Sequence, residues 1–204
     1  MNRLELKHLS PYLPYGLRAI NTFKEKVEVL GIQNGNESVS NVLWLFRHSN
    51  GDYLKGYLYD CKPVLRPLSD LTKEIEVNGE RFVPMIKLLY LYETNFFHKE
   101  GKFKHVVFDI NSIISCKHEK YESIKREDFI VNFPINTSNM GVLIYSFTYD
   151  PELRRFSYRD DTNRRPLCLA FQLDLFEKLF EWYFDVFGLI EKGLAIDINT
   201  VNNM

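Results

Sequence analysis

Cys116-Lys-His118 is the one close cysteine and histidine pair in the chain, and a thiol beside an imidazole can be activated as a thiolate or share a metal ion with it. His98 and His105 lie upstream as further potential ligands. The spacing matches no zinc-site pattern, so a thiol next to a surface histidine is the simpler reading. The second chemistry-bearing segment is 150–165, Asp-Pro-Glu-Leu-Arg-Arg-Phe-Ser-Tyr-Arg-Asp-Asp-Thr-Asn-Arg-Arg, with five arginines and four acids around Phe156 and Tyr158. Interleaved arginine and aromatic side chains can neutralise phosphates and stack on bases, and Asp160 with Asp161 could hold a divalent cation for phosphodiester chemistry. The acids offset nearly all of the arginine charge, which favours salt-bridged, solvated faces instead. Arg154, Arg155, Arg164 and Arg165 stand as candidate interaction residues, and a strong nucleic-acid site is not expected of them.

Other signatures fail on their residues. Gly188-Leu-Ile-Glu-Lys-Gly193 has two glycines at phosphate-loop separation, but Leu194 and Ala195 follow where Lys and Ser or Thr are needed. The nucleophile elbow GxSxG, HExxH, the EF-hand loop and the dinucleotide fingerprint are all missing. The sequence therefore assigns no catalytic, metal-binding or cofactor-binding residue and implies no cofactor.

The 26 basic and 27 acidic residues leave a formal charge of -1, so the chain as a whole does not attract nucleic acid or anionic lipid, and only a local patch could. Cys61, Cys116 and Cys168 are odd in number, widely spaced and without a CxxC, which fits buried free thiols in a reducing compartment. The start Met1-Asn2-Arg3-Leu4-Glu5-Leu6-Lys7 lacks the apolar run of a signal peptide, and no run approaches the ~20 residues of a membrane helix. The expectation is a soluble, cytoplasmic protein with no membrane partner, in which the Asn36-Glu-Ser38 and Asn136-Thr-Ser138 sequons are chance matches. The 204 residues, 45% of them hydrophobic and 26% charged, suit one globular domain over 1–204.

Periodicity gives an α+β fold: antiparallel sheets with a few packed helices. Ser10-Pro-Tyr-Leu-Pro-Tyr-Gly16 should stop any helix begun at Leu4 and leave an extended lead-in. Residues 26–32, 39–47 and 53–60 read as a three-stranded antiparallel meander over about 26–60, with Asn50-Gly51 as a two-residue turn. Ser69 can cap a helix over 69–77 that Asn78-Gly79 ends, and Pro84 opens another over 84–92. A strand over 103–115 should lead into a helical stretch at 117–128, followed by strands at 142–149, 154–159 and 167–171. The alternating tail after Gly193 could add an edge strand.

The clearest helix is 174–187, where Phe176, Leu179, Phe180, Tyr183 and Phe187 share a stripe before Gly188. Trp182 and Phe184 lie off that stripe. Either the helix is buried between two layers, or Trp182 and Phe184 belong to a surface that meets another subunit or partner.

Three blocks, Ser10-Pro-Tyr-Leu-Pro-Tyr-Gly-Leu17, KPVLRPLSDLTKEI from Lys62 to Ile75 and FDVFGLIEKGLAIDINT from Phe184 to Thr200, resemble uncharacterised proteins encoded by phages and prophages of gut Bacteroidetes. The resemblance implies a small accessory gene of mobile DNA and no activity. The functional expectation is a non-enzymatic protein that binds a host or phage macromolecule, most simply a protein. Its alternatives are a metal-dependent hydrolase or nuclease whose site assembles only in the fold, and a nucleic-acid-binding module using the 154–165 arginines.

Overall fold

The computed structural model describes residues 4–34, 42–48, 51, 53–57, 60–100, 113, 115–121, 126–137, 141–160, 167–169 and 172–201. The architecture is α+β, as the periodicity implies. In chain order the elements are α1 (Leu6–Leu9), β1 (Arg18–Asn21), β2 (Lys26–Asn34), β3 (Val42–His48), β4 (Tyr53–Tyr57), β5 (Cys61–Leu65), β6 (Ile75–Val77), β7 (Glu80–Phe82), α2 (Pro84–Glu100), β8 (Ser115–Tyr121), β9 (Arg126–Thr137), β10 (Gly141–Asp150), β11 (Arg155–Asp160), β12 (Leu167–Cys168), α3 (Gln172–Glu181), β13 (Ile196–Asp197) and α4 (Ile198–Val201). No helix among the described residues is long and apolar enough to cross a membrane. Two compact units emerge, one of Met1–Leu68 with Leu179–Met204, the other of Ser69–Lys178.

The first unit is built on a six-stranded sheet in the order β13-β5-β1-β2-β3-β4. The expected meander is its β2-β3-β4 part, with the ladder shifting at a bulge between Val29 and Gly31. At the β3–β4 turn Gly51 takes φ 92, while Asn50 lies outside the described residues. The tail does supply an edge strand, and β13 runs parallel to β5 with Ile196 opposite Val64. One side of the sheet carries Ala19, Val27, Val29, Cys61 and Leu65 into a core completed by Leu9, Tyr12 and Leu189.

Two expectations fail here. Ser10–Tyr15, with Pro11 and Pro14, is a 3-10 helix and no extended lead-in, because the proline φ suits a 3-10 turn as well as an extended one. The helix expected over 174–187 ends at Glu181. Tyr183 adopts φ 62, its N–H donates to the Phe180 carbonyl at 3.0 Å, and the Phe184 N–H donates to the Leu179 carbonyl at 2.8 Å. This is a Schellman stop with tyrosine in the left-handed position where glycine is usual. The apolar period runs on past it because the reversed chain still feeds the same core: Phe187 stacks on Phe180 with ring centroids 6.2 Å apart.

The second unit holds the five-stranded sheet β12-β11-β10-β9-β8 and the hairpin β6-β7. Strands at 142–149 and 154–159 are found as β10 and β11; of the strand expected over 167–171, Leu167 and Cys168 form β12, Leu169 is outside it, and 170–171 lie outside the described residues. Most of the strand expected over 103–115 lies outside the described residues. The described residues of the stretch 117–128 are strand and not helix, 117–121 in β8 and 126–128 in β9, and Cys116 and His118 pair with Val131 and Phe129. Cross-strand partners supply the apolar surface that this charged segment lacks on its own. Registry places Val131, Phe147 and Tyr158 on one face with Phe129, Tyr149 and Phe156, all buried. Asn132, Ser146, Thr148 and Ser157 take the other face, where Asn132 bonds both Ser115 and Ser146 at 2.6 and 2.8 Å.

The helix expected over 69–77 is replaced by a single 3-10 turn, Leu68–Asp70, and by the hairpin of β6 and β7. Val77 pairs with Glu80 across a two-residue loop in which Asn78 has φ 53 and Gly79 φ 82. Both positive values make this a type I′ turn, so Asn-Gly turns a hairpin here and does not end a helix. The helix at 84–92 is present and longer, opening at Pro84 and burying Met85, Leu88, Leu89 and Tyr92.

A methyl group at Gly79 would meet nothing within 4 Å, so its conformation alone sets the cost of replacement. Gly79→Ala is expected to destabilise by roughly 1–2 kcal/mol in urea unfolding. Gly31→Ala, equally uncrowded but without a positive φ, is expected to be neutral or to stabilise by up to about 1 kcal/mol.

Candidate interaction surface

The residues singled out by sequence do not assemble into one site. Trp182 is 3% exposed and Phe184 0%, so neither presents a side chain to a partner. Phe184 is bridged to Arg66 in parallel, and its carbonyl accepts the Tyr12 hydroxyl at 2.6 Å. Of the two readings of that segment, burial is the one found. Arg154 is exposed in the β10–β11 turn with φ 46, and Arg155 begins β11 half-buried. Arg164 and Arg165 lie outside the described residues.

Cys116 and His118 do share a face of β8, two residues apart, but their surroundings oppose thiolate chemistry. His118 stacks on Phe129 with centroids 4.7 Å apart and its Nε2 lies 3.0 Å from Glu127 Oε2. Burial pushes the Cys116 thiol up to about 11, and burial followed by the Asp60 charge pushes Cys61 up to about 12. Both are protonated at neutral pH and weakly nucleophilic. Among the described residues no group of three or more His, Cys, Asp or Glu side chains is placed to hold a metal ion. Asp161 and His105 lie outside the described residues.

What the sequence reading missed is the solvent side of the first sheet. Registry sets Arg18 opposite Glu28 and Glu28 opposite Arg47 in one row, and Lys62, Ile20 and Lys26 in the next. With strands ~4.8 Å apart and side chains on one face every ~7 Å, the four cations, one on each of four adjacent strands, fall within an area of ~14 by 7 Å. Arg18, Lys26, Arg47 and Lys62 are all exposed, and Ile20 is half-buried between the two lysines. Glu28 lies between Arg18 and Arg47 on this face; its Oε2 accepts from Arg47 Nε at 3.0 Å and also from Nη2.

The Tyr183 hydroxyl, donated to the Tyr15 carbonyl, lies near the rim of this face. Burial raises its pKa, Arg18 lowers it, and Glu28 and Glu181 raise it again, so it remains a donor at neutral pH.

The β1–β2 turn continues the same surface. Lys24 N–H donates to the Asn21 carbonyl at 2.9 Å, the Asn21 N–H to the Glu25 carbonyl at 3.1 Å, and the Asn21 side chain bonds Glu25 twice, at 2.7 and 2.8 Å. A three-residue loop of this kind ends in a left-handed residue, which is Lys24 with φ 65. Phe23 projects from it 82% exposed. A positive face built from four separate strands has no contiguous sequence signature; only alternation along 18–28 could have hinted at it.

No protein-family model matches the chain, and no curated protein or solved structure is similar to it.

Trp182 can be tested directly. Trp182→Ala is expected to cost ~3–5 kcal/mol and lower the melting temperature by several degrees, with the association state unchanged in sedimentation.

Proposed function

We propose that the protein is a non-enzymatic binding protein whose first sheet presents its cationic face to an acidic macromolecule. The observation that supports this reading is the gathering of Arg18, Lys26, Arg47 and Lys62 on one face of the sheet, with Glu28 between the two arginines, in a chain of formal charge -1. Near-neutral chains attract polyanions through local fields, and a patch this small is felt over about a Debye length, ~8 Å at physiological salt. The partner then recognises a patch and not the whole molecule. A role as a phage-derived accessory protein fits the three sequence blocks and agrees with such binding, and a protein partner from host or phage fits it most simply.

The test uses labelled poly-glutamate as the acidic probe. The wild-type chain is expected to bind it at low ionic strength and to lose it steeply as salt rises. Lys26→Glu with Lys62→Glu should weaken binding about tenfold or more while leaving stability within about 0.5 kcal/mol, since both side chains are exposed. No binding at low salt, or binding indifferent to the double reversal, would overturn the proposal.

A further inference from the structure

We infer that the β1–β2 turn is the apolar anchor of this surface and that its partner is an extended protein segment that turns acidic and apolar side chains in alternation to one face. The inference rests on the cationic-face reading above. It is carried by two residues that suit the fold badly and a partner well. Phe23 leaves a whole aromatic ring in water, 82% exposed, on a turn that Asn21 holds through bonds from both its backbone and its side chain. A loose tip could turn such a ring inward; this one is held out, and pre-organised aromatic side chains are the usual anchors of interfaces. Lys24 occupies a left-handed conformation that glycine adopts without strain. Retaining lysine there accepts that strain and adds a cation beside Phe23.

The chemistry of the face itself decides between kinds of partner. A nucleic-acid backbone is a continuous row of negative charge, and Glu28 sits in the middle of the face where such a row would cross. The half-buried Ile20, flanked by Lys62 and Lys26, puts an apolar spot between cations. Lys62, Ile20 and Lys26 make a cation, apolar, cation row across the sheet, with Phe23 on the turn beyond Ile20 and Lys26, and this is complementary to acid, apolar, acid on one face of an extended segment. Only every second side chain of an extended segment faces the sheet, so acids two such positions apart would reach the lysines, the apolar side chain between them would reach Ile20, and a further apolar one would reach Phe23.

Three probes separate this inference from the reading beneath it: a short Glu/Leu peptide repeating Glu-Ser-Leu-Ser, which sets Glu and Leu on one face, poly-glutamate, and an oligothymidylate, each followed by fluorescence anisotropy. The Glu/Leu peptide is expected to bind most tightly. Phe23→Ala should weaken it about tenfold or more, leave poly-glutamate binding unchanged and leave the melting temperature unchanged. Lys24→Gly should raise the melting temperature and weaken the peptide; a variant both more stable and equally tight in binding would overturn the part assigned to Lys24. If poly-glutamate binds and responds to the lysine reversals while Phe23→Ala changes nothing, the anchor is refuted and the cationic-face reading stands. If oligothymidylate binds more tightly than the peptide and depends on Phe23, the surface belongs to nucleic acid and the inference fails. Phe23-dependent binding to phosphatidylserine vesicles, or Phe23-dependent dimerisation, would overturn it equally.

Discussion

The first unit depends on one backbone reversal, the left-handed turn at Tyr183. Because the helix stops there, the Tyr183 carbonyl is free of the helical ladder and accepts the Arg66 N–H at 2.7 Å, and the Asp185 N–H donates to the Arg66 carbonyl at 2.8 Å. These bonds join the return of the chain to the end of β5. Two hydroxyls reinforce the joint from the N-terminal side and inside the turn itself: Tyr12 donates to the Phe184 carbonyl, and Tyr183 to the carbonyls of Tyr15 and Gly16. Asp185 then organises the next stretch of backbone, its two oxygens accepting the N–H groups of Leu189 and Ile190 at 2.8 and 2.7 Å. Burial holds its carboxyl above the ordinary range, while the Ile190 and Leu189 N–H groups and the Lys192 charge pull it back. Satisfying the buried oxygens in this way makes the charge tolerable there.

With that joint in place, the two sides of the first sheet are free to differ. One side is packed by residues that arrive from both ends of the sequence, Leu9 and Tyr12 before the sheet and Leu189 after it. The other carries no comparable cover over Arg18, Lys26, Arg47 and Lys62 among the described residues, and so keeps its charges in water. The sheet of the second unit divides its faces differently. Its aromatic face is buried with Tyr92 stacked on Phe147, and its polar face also buries side chains but satisfies them laterally, as where Thr148 and Ser157 share a hydrogen bond at 2.5 Å.

Periodicity and turn chemistry revealed the elements whose causes are local. The meander, α2 with Pro84 at its start, β10 and β11 all follow from residues within a few positions of one another. The errors have two causes: the deciding partner lies far away in sequence, or a side chain occupies an uncommon backbone state. Leu68, Leu71 and Ile75 have helical spacing, yet Asn78-Gly79 turns a hairpin; the dipeptide serves either purpose, and tertiary packing chooses. Residues 117–128 look like a charged helix until β9 supplies Phe129 and Val131 opposite them. Glycine at 188 announced a helix end that tyrosine at 183 had already made. The candidate surface was the least legible feature, because Lys62, Arg18, Lys26 and Arg47 become neighbours only through strand order.

That the first unit is assembled from Met1–Leu68 and Leu179–Met204 has a consequence for how the chain comes off the ribosome. Translation proceeds at about 5–20 residues per second, so on the order of ten seconds pass between the emergence of β5 and of the final segment. Throughout that interval Leu9, Leu17, Val27 and Val29 lack the Leu189 side of their core, while Ser69–Lys178 can already complete its own contacts. Within this unit the strands β1–β5 are thus made well before the segment that seals them, which leaves an apolar surface open in the nascent chain until Leu189 arrives.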